Sequence, residues 1–506
     1  MAKQSINIGT SANDGTGSTL REAFDICNDN FTELYGGTTS ALGFKSEGTN
    51  FTGSLLIGHS TTGVISSAEE NTGVGIGALD ALTTGGSNVA VGYNAGTSIN
   101  SGASNVVVGF AAGDALSSGS QNVAIGRNSL TTEDTGSRNT AIGRGTLQNL
   151  NFNGNGYNVA VGYNAGLNVT TGTQNTLIGS AAGDAVTTGE FNVAMGYNAL
   201  SSATDTDQSV AIGHNALAAL NYSGDSNNTA VGHNAGASVV YGIKNTLLGA
   251  FAGDALTDGQ KNVAVGYNAL STEDGHGRNV AVGHETLKNL NAGVDAYNVA
   301  VGYDAGLSVT SGAQNTLIGG LAGDALTVGE RNTALGYSAL SAEDTGGHNT
   351  GIGYRALSQL NYDGNGYNTA LGSDAGRKVS TGVQNTILGA TAGDALTTGS
   401  DNVAIGYAAM TTDDAGGRNV AVGAFALRMQ NGGDANVYNI GIGYGAGSSM
   451  TSGTLNTIIG GNAGDALTTG SSNIAIGYNA LSTEDTGQAN IAIGQGALQN
   501  ANYDGT

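Results

Sequence analysis

The stretch NTIIGGNAGDALTTG, residues 456–470, is one of several near-copies in the chain. NTILGATAGDALTTG stands at 385–399 and NTLIGSAAGDAVTTG at 175–189, and variants begin at 105, 245 and 315. The aspartates of this phrase are Asp114, Asp184, Asp254, Asp324, Asp394 and Asp465, at a constant interval of 70 with a single step of 71. Its opening pentapeptide recurs more often still. The pattern is Asn, an apolar residue or Thr, a small or apolar residue, an apolar residue, then Gly. It appears in 25 copies from Asn71 to Asn490, and Ser209 is the only start that is not Asn. Three steps of 17 alternate with one of 19, which gives the 70; a step of 20 from Asn419 to Asn439 gives the 71. SLLIG at 54–58 lies one short step before Asn71 and reads as a degenerate first rung.

A 17-residue period with about five alternating residues is too short for a helix pair. It suits one coil of a β-solenoid, strand then turn then strand then turn. Repeats of this kind stack without enlarging the core, so 506 residues need not mean several domains. The expected fold is an all-β parallel β-roll of about 26 coils. In NVAVG, Val89 and Val91 point one way and Ala90 the other. The fourth position is always Val, Ile, Leu or Met, which assigns it to the coil interior and the third position to the outside. The closing Gly permits a turn, and the Asn side chains can stack in a hydrogen-bonded ladder.

The third position is nearly always Ala or Gly. It becomes large once per long repeat, at Val107, Leu177, Leu247, Leu317, Ile387 and Ile458. Two readings fit: a knob facing other subunits, or a large residue filling a gap inside one chain. The knob is the reading preferred from sequence, and it makes these six residues trimer-interface candidates.

Composition agrees with a scaffold. There are 87 Gly, no Pro, no Trp and 11% charged residues. A chain without Pro suits a structure in which almost every backbone N–H is wanted in a ladder. The net charge of −23 argues against nucleic acid as a partner. The single cysteine, Cys27, cannot form an intrachain disulfide. The N-terminus has no apolar core of a secretory signal, and no apolar run is long enough to span a bilayer, so no membrane insertion is expected.

NVAVGYNAG and NVAIGYNAL resemble the head repeat of YadA-like trimeric autotransporter adhesins, over residues 71–506 and weakly over 54–70. The resemblance implies a left-handed parallel β-roll with three chains around one axis. That family's repeat is usually somewhat shorter, so the turns here must differ. INIGTSANDGTGSTLREAFDICNDNFTELYGG, near the N-terminus, resembles the opening of structural proteins of tailed bacteriophages, especially marine ones.

The chain therefore divides into an extended attachment segment at 1–17, an amphipathic helix at 18–36, a linker at 37–53 and the β-roll at 54–506. Ser18 or Thr19 can cap the helix. Leu20, Phe24, Cys27, Phe31 and Leu34 fall on a heptad seam that can join three chains, though a packed single helix fits the same pattern.

Acidic residues recur once per long repeat: Glu133/Asp134, Asp205/Asp207, Glu273/Asp274, Glu343/Asp344, Asp413/Asp414 and Glu484/Asp485. A catalytic site is usually singular, and six equivalent copies read as a solvated turn; cation binding is the second reading. The six histidines show no metal-ligand spacing in sequence, and His214, His233 and His284 stand where Tyr usually follows the closing Gly. No cofactor, metal or catalytic residue is expected, and the protein is not expected to be an enzyme. The longer coils carry Phe152, Tyr222, Tyr362 and Tyr503 in loops such as NFNGNGYN and NYDGNGYN. These are candidate contacts for a host-surface glycan, with packing against the neighbouring loop as the alternative.

The expected function is a homotrimeric fibre of a phage virion, assembled in the host cytoplasm, attached by its N-terminus to a tail or baseplate protein and serving as shaft or receptor-binding surface. The alternatives are a bacterial trimeric surface adhesin and, less favoured, a tailspike glycan depolymerase. The next coil after Asn490 is due at position 509, beyond Thr506. This raises the expectation that further sequence or another protein covers that end.

Overall fold

The computed structural model describes residues 44–46, 52–58, 66–433 and 436–502. It contains two compact units, divided between Ser209 and Val210. In the first, nine three-residue strands from Leu55–Ile57 to Val193–Met195 pair in parallel, each in register with the strand one coil further on. Phe44–Ser46, inside the segment read as linker, adds an antiparallel strand against Leu55–Ile57. In the second unit, seventeen strands from Val210–Ile212 to Ile491–Ile493 repeat the parallel arrangement. No helix occurs among the described residues, so the fold is the expected all-β parallel solenoid with 17-residue spacing. The proposed helix at 18–36, with Leu20, Phe24, Cys27, Phe31 and Leu34, lies outside the described residues, as does Tyr503.

The recurrent geometry of each coil comes from two devices. The Asn side chains form the ladder. Asn88 Oδ1 accepts the backbone N–H of Asn105, and Asn88 Nδ2 donates to the Gly102 carbonyl, both at 2.9 Å. The same two bonds recur along both units, for example from Asn262 N–H to Asn245 Oδ1 at 3.0 Å and from Asn245 Nδ2 to Gly259 O at 2.8 Å. These amides are buried, and each satisfies backbone groups that a turn would otherwise orphan. The closing glycine supplies the second device. Gly266 has φ +135°, and a Cβ there would lie 2.1 Å from the Gly283 carbonyl oxygen of the next coil. Only glycine permits that approach.

The assignment of inside and outside is the reverse of the sequence expectation. In strand after strand the middle residue is buried and its two neighbours are half-buried or exposed, as at Val159–Val161 and Val263–Val265. The coil is too narrow for two Val side chains per strand. Its interior is filled by the middle Ala and by Ala, Leu or Val from the turns, such as Ala165 and Val169. The β-branched residues of the second and fourth positions stay on the outer face, where they suit the pleated backbone.

The beat of the long repeat is a packing rule. Val107, Leu177, Leu247, Leu317, Ile387 and Ile458 are enclosed by their own chain, at most 1% exposed. They are not outward knobs, and this corrects their reading as interface residues. Among the described residues, the fourth residue after the closing glycine adopts a left-handed backbone, as Gly166, Gly183 and Leu200 all do. Where it is Leu, it fills the core despite the strain. Where it is Gly, it leaves a hole. Cβ atoms added at Gly166 and Gly183 would each lie 2.7 Å from a methyl of Leu177. Leu247 stands in the same way 2.6 Å and 2.8 Å from the Cβ positions of Gly236 and Gly253. One large side chain every fourth coil thus fills the space left by two glycines in adjacent coils.

Candidate functional site: aromatic columns and acidic turns

The residue after the closing glycine lies on an exposed turn, and successive coils place these residues one above another. In the first unit Tyr93 stacks on Phe110, with centroids 5.3 Å apart, and Arg127 and Arg144 lie over Phe110 and Tyr163. In the second unit six rings run without a break: His214, His233, Phe251, Tyr267, His284 and Tyr303, at centroid spacings of 5.1 to 6.1 Å; Phe251 stands one place later in its coil, after Ala250, and meets both neighbours edge-to-face. Tyr407, Phe425 and Tyr444 form a shorter run by edge-to-face contacts, with Phe425 again one place later in its coil, after Ala424. Stacked neighbours occupy one another's faces, so these columns offer mainly ring edges and hydroxyls to solvent.

A recurrent ring pair was not anticipated. Tyr157 in the first unit, and Tyr297, Tyr367 and Tyr438 in the second, end the long coils directly before the next ladder Asn and are about half exposed. Arg138, Arg278 and Arg418 lie over three of these rings at 5.2 to 5.5 Å and donate to their hydroxyls. His348 takes the Arg position against Tyr367. The sequence signal was available: Tyr stands directly before Asn in each of these coils, with Arg or His directly before the ladder Asn of the preceding coil.

The loop aromatics chosen from sequence are less open. Phe152 and Tyr222 are half-buried, and only Tyr362 is exposed. A Cβ at Gly154 would meet the Phe152 ring at 2.9 Å, and one at Gly364 the Tyr362 ring at 3.0 Å. The Phe152 and Tyr362 rings therefore fold over their own loops rather than against a neighbouring one.

The acidic turns are only partly solvated. The first carboxylate of five pairs, Glu133, Glu273, Glu343, Asp413 and Glu484, is buried, which corrects the reading of the whole cluster as a solvated turn. Each caps backbone. Glu133 accepts the Gly136 and Phe152 N–H groups at 2.6 and 3.1 Å, and Glu484 accepts Gly487 N–H at 2.6 Å. Burial raises Glu133, Glu273 and Glu343 above the ordinary carboxylate range, opposed by these backbone bonds. Asp413 is pushed up to about 6 by the same desolvation. In the remaining pair, Asp205 accepts the Thr187 and Thr188 hydroxyls and Asp207 the Glu190 N–H. Each of these named carboxylates serves its turn as a hydrogen-bond acceptor. The aspartates of the repeated phrase are also raised by burial, Asp394 less simply because Arg377 and Lys378 oppose it. A polar recess in the second unit is lined by Asp258, Gln260, Lys261, Arg278 and Asp295, of which Arg278 and Asp295 are ion-paired to each other.

No known family model matches the chain, and no curated protein matches it in sequence.

Proposed function

We propose that this chain is the subunit of a homotrimeric fibre of a tailed-phage virion, attached through its N-terminal segment to a tail or baseplate protein and carrying shaft or host-glycan contacts along its coils. The observation that supports it best is the outer strand face. In the first unit Val74, Val89, Val91, Ile142 and Met195 are exposed there, and in the second Leu335, Leu371, Leu388 and Ile442. Successive strands lie about 4.8 Å apart, and the intervening strands carry half-buried apolar residues at the same place, such as Val108, Ile125, Ile352 and Ile405, so within each unit they complete an apolar row. Soluble monomers rarely expose a strip of that extent. Three copies packed on this face would cover it under closed symmetry. The aromatic columns, on turns beside the strip, then remain outside with their hydroxyls available to a glycan. The attachment role rests on the phage-like N-terminal sequence alone.

Sedimentation of the purified chain tests the assembly: the expected species has three times the 49.8 kDa chain mass. The triple variant Leu335→Asp, Leu371→Asp, Leu388→Asp should sediment as folded monomer. A wild-type monomer refutes the assembly. Immunogold electron microscopy tests the location: label on virion fibres supports the phage reading, and label confined to a bacterial envelope replaces it with the surface adhesin.

A further inference from the structure

We infer that His284, Glu285 and Asp304 form a binding site for a first-row divalent transition metal, bridging the coils that begin at Asn279 and Asn298. One ligand atom from each lies within 4.8 Å of the other two. His284 Nδ1 stands 3.4 Å from Asp304 Oδ1. Two donors bound at about 2.1 Å to one tetrahedral ion are separated by about 3.4 Å, so this pair already spans one edge of a coordination shell.

The positions are fixed by the fold. The His284 ring is clamped between Tyr267 and Tyr303, at 5.5 and 5.3 Å. Glu285 and Asp304 occupy the same place in successive coils, the second position after the closing glycine, and both have the left-handed backbone of that place, φ 51° and 53°. Elsewhere that place commonly holds neutral Asn, as at Asn164, Asn198, Asn234, Asn268 and Asn479. Here two carboxylates are set one coil apart, a like-charge juxtaposition that costs stability unless a cation answers it. Lys288 Nζ answers Glu285 in part, at 2.9 Å. Asp304 pairs with the imidazole, which is neutral unless protonated, and feels the Lys288 ammonium only at longer range. A divalent ion would satisfy both carboxylates and the imidazole, and the acidic chain favours cations. One nitrogen and two oxygen donors suit Zn²⁺, Ni²⁺ or Cu²⁺ better than Ca²⁺, which takes six to eight oxygens.

The second cluster of the same kind, Glu273, Asp274 and His276, is the weaker site. Glu273 is buried with its oxygens already accepting the His276 and Ala292 N–H groups, and Asp274 accepts Gly275 N–H. Carboxylates at the position of Glu273 cap turns in four other coils.

Calorimetric titration of the metal-free full chain with ZnCl2 tests the proposal. The expected result is one site per chain, with binding weakened at least tenfold by His284→Phe, by Asp304→Asn and by Glu285→Asn. Phe keeps the ring stack, and Asn is the usual residue at the other two places, so these variants retain the fold. Lys288→Ala should tighten binding, because the ammonium competes for Glu285. MgCl2 and CaCl2 should give no comparable binding. No zinc binding at 1 mM (about the weakest affinity worth the name), binding untouched by His284→Phe, or binding lost on His276→Ala instead would each overturn it.

Discussion

If Leu177 is the plug for two glycine holes, its removal and the filling of one hole must compensate each other. Leu177→Ala alone deletes a side chain that is fully buried, which costs about 2–5 kcal/mol. Gly183→Ala alone places a methyl 2.7 Å from Leu177 Cδ2, at φ +56°. The left-handed backbone costs about 1–2 kcal/mol and the overpacking about 1–3 kcal/mol more. In the double variant the new methyl occupies space that Leu177 has left. The overpacking disappears and part of the cavity is refilled, so the double should be less destabilised than the sum by about 2–3 kcal/mol. A stack of repeats need not unfold in one step, so a global midpoint is the wrong measure. Native-state amide exchange in peptides spanning 158–209 reports the local free energy directly. Additivity to within about 0.5 kcal/mol would show that Leu177 does not fill the Gly183 hole. Unchanged exchange in Leu177→Ala, accompanied by loss of trimers, would restore the interface reading of the six large residues.

The acidic turns make a prediction of sign. Asp413 has a folded pKa of about 6 against an ordinary 3.8, so between those values the folded state holds more protons than the unfolded one. Local stability of the coil from Asn402 should therefore fall as pH rises from about 4 to 6 and level off above, by about 3 kcal/mol at most. Amide exchange corrected for intrinsic rates, compared with Asp413→Asn, reads this; a slope of the opposite sign refutes it. Asn245→Ala should leave the Asn262 N–H and the Gly259 carbonyl buried without partners and cost about 2–4 kcal/mol locally. Exchange protection of Asn262 that survives the substitution would show that the ladder is ornamental.

The period, the parallel register, the Asn ladder and the closing glycines were all legible in the sequence because each is a one-dimensional signal repeated many times. The direction of the side chains was not. Val-Ala-Val in a three-residue strand alternates equally well either way, and hydrophobicity favours Val inside. The deciding quantity is the cross-section of the coil, which depends on what the turns contribute. Ala165 and Val169, or Leu200, already occupy the interior, and only the middle Ala fits beside them. Position by position, the sequence shows a lone large residue at Leu177. Its meaning lies in Gly166 and Gly183, one on each side of it in sequence, which look like any others among 87 glycines until the coil brings them together.

The candidate metal site was hidden for a related reason. Short metal motifs are found because a helix turn or a hairpin brings residues a few positions apart onto one ion. On a solenoid the nearest neighbour of His284 along the axis is one coil away, and this coil is one of the long ones. Asp304 is therefore distant from His284 in sequence, at an interval of 20, and 3.4 Å from it in space. The spacing that signals a shared ligand shell in such a fold is the coil length plus or minus one, and it changes wherever the coil lengthens. The same arithmetic pairs Arg138 with Tyr157 and Arg278 with Tyr297 at an interval of 19, and Arg418 with Tyr438 at 20, across the coil that is longer by one. That a contact is kept by shifting its sequence interval with the coil indicates that the pairing between adjacent coils, not the local sequence, is what these positions serve.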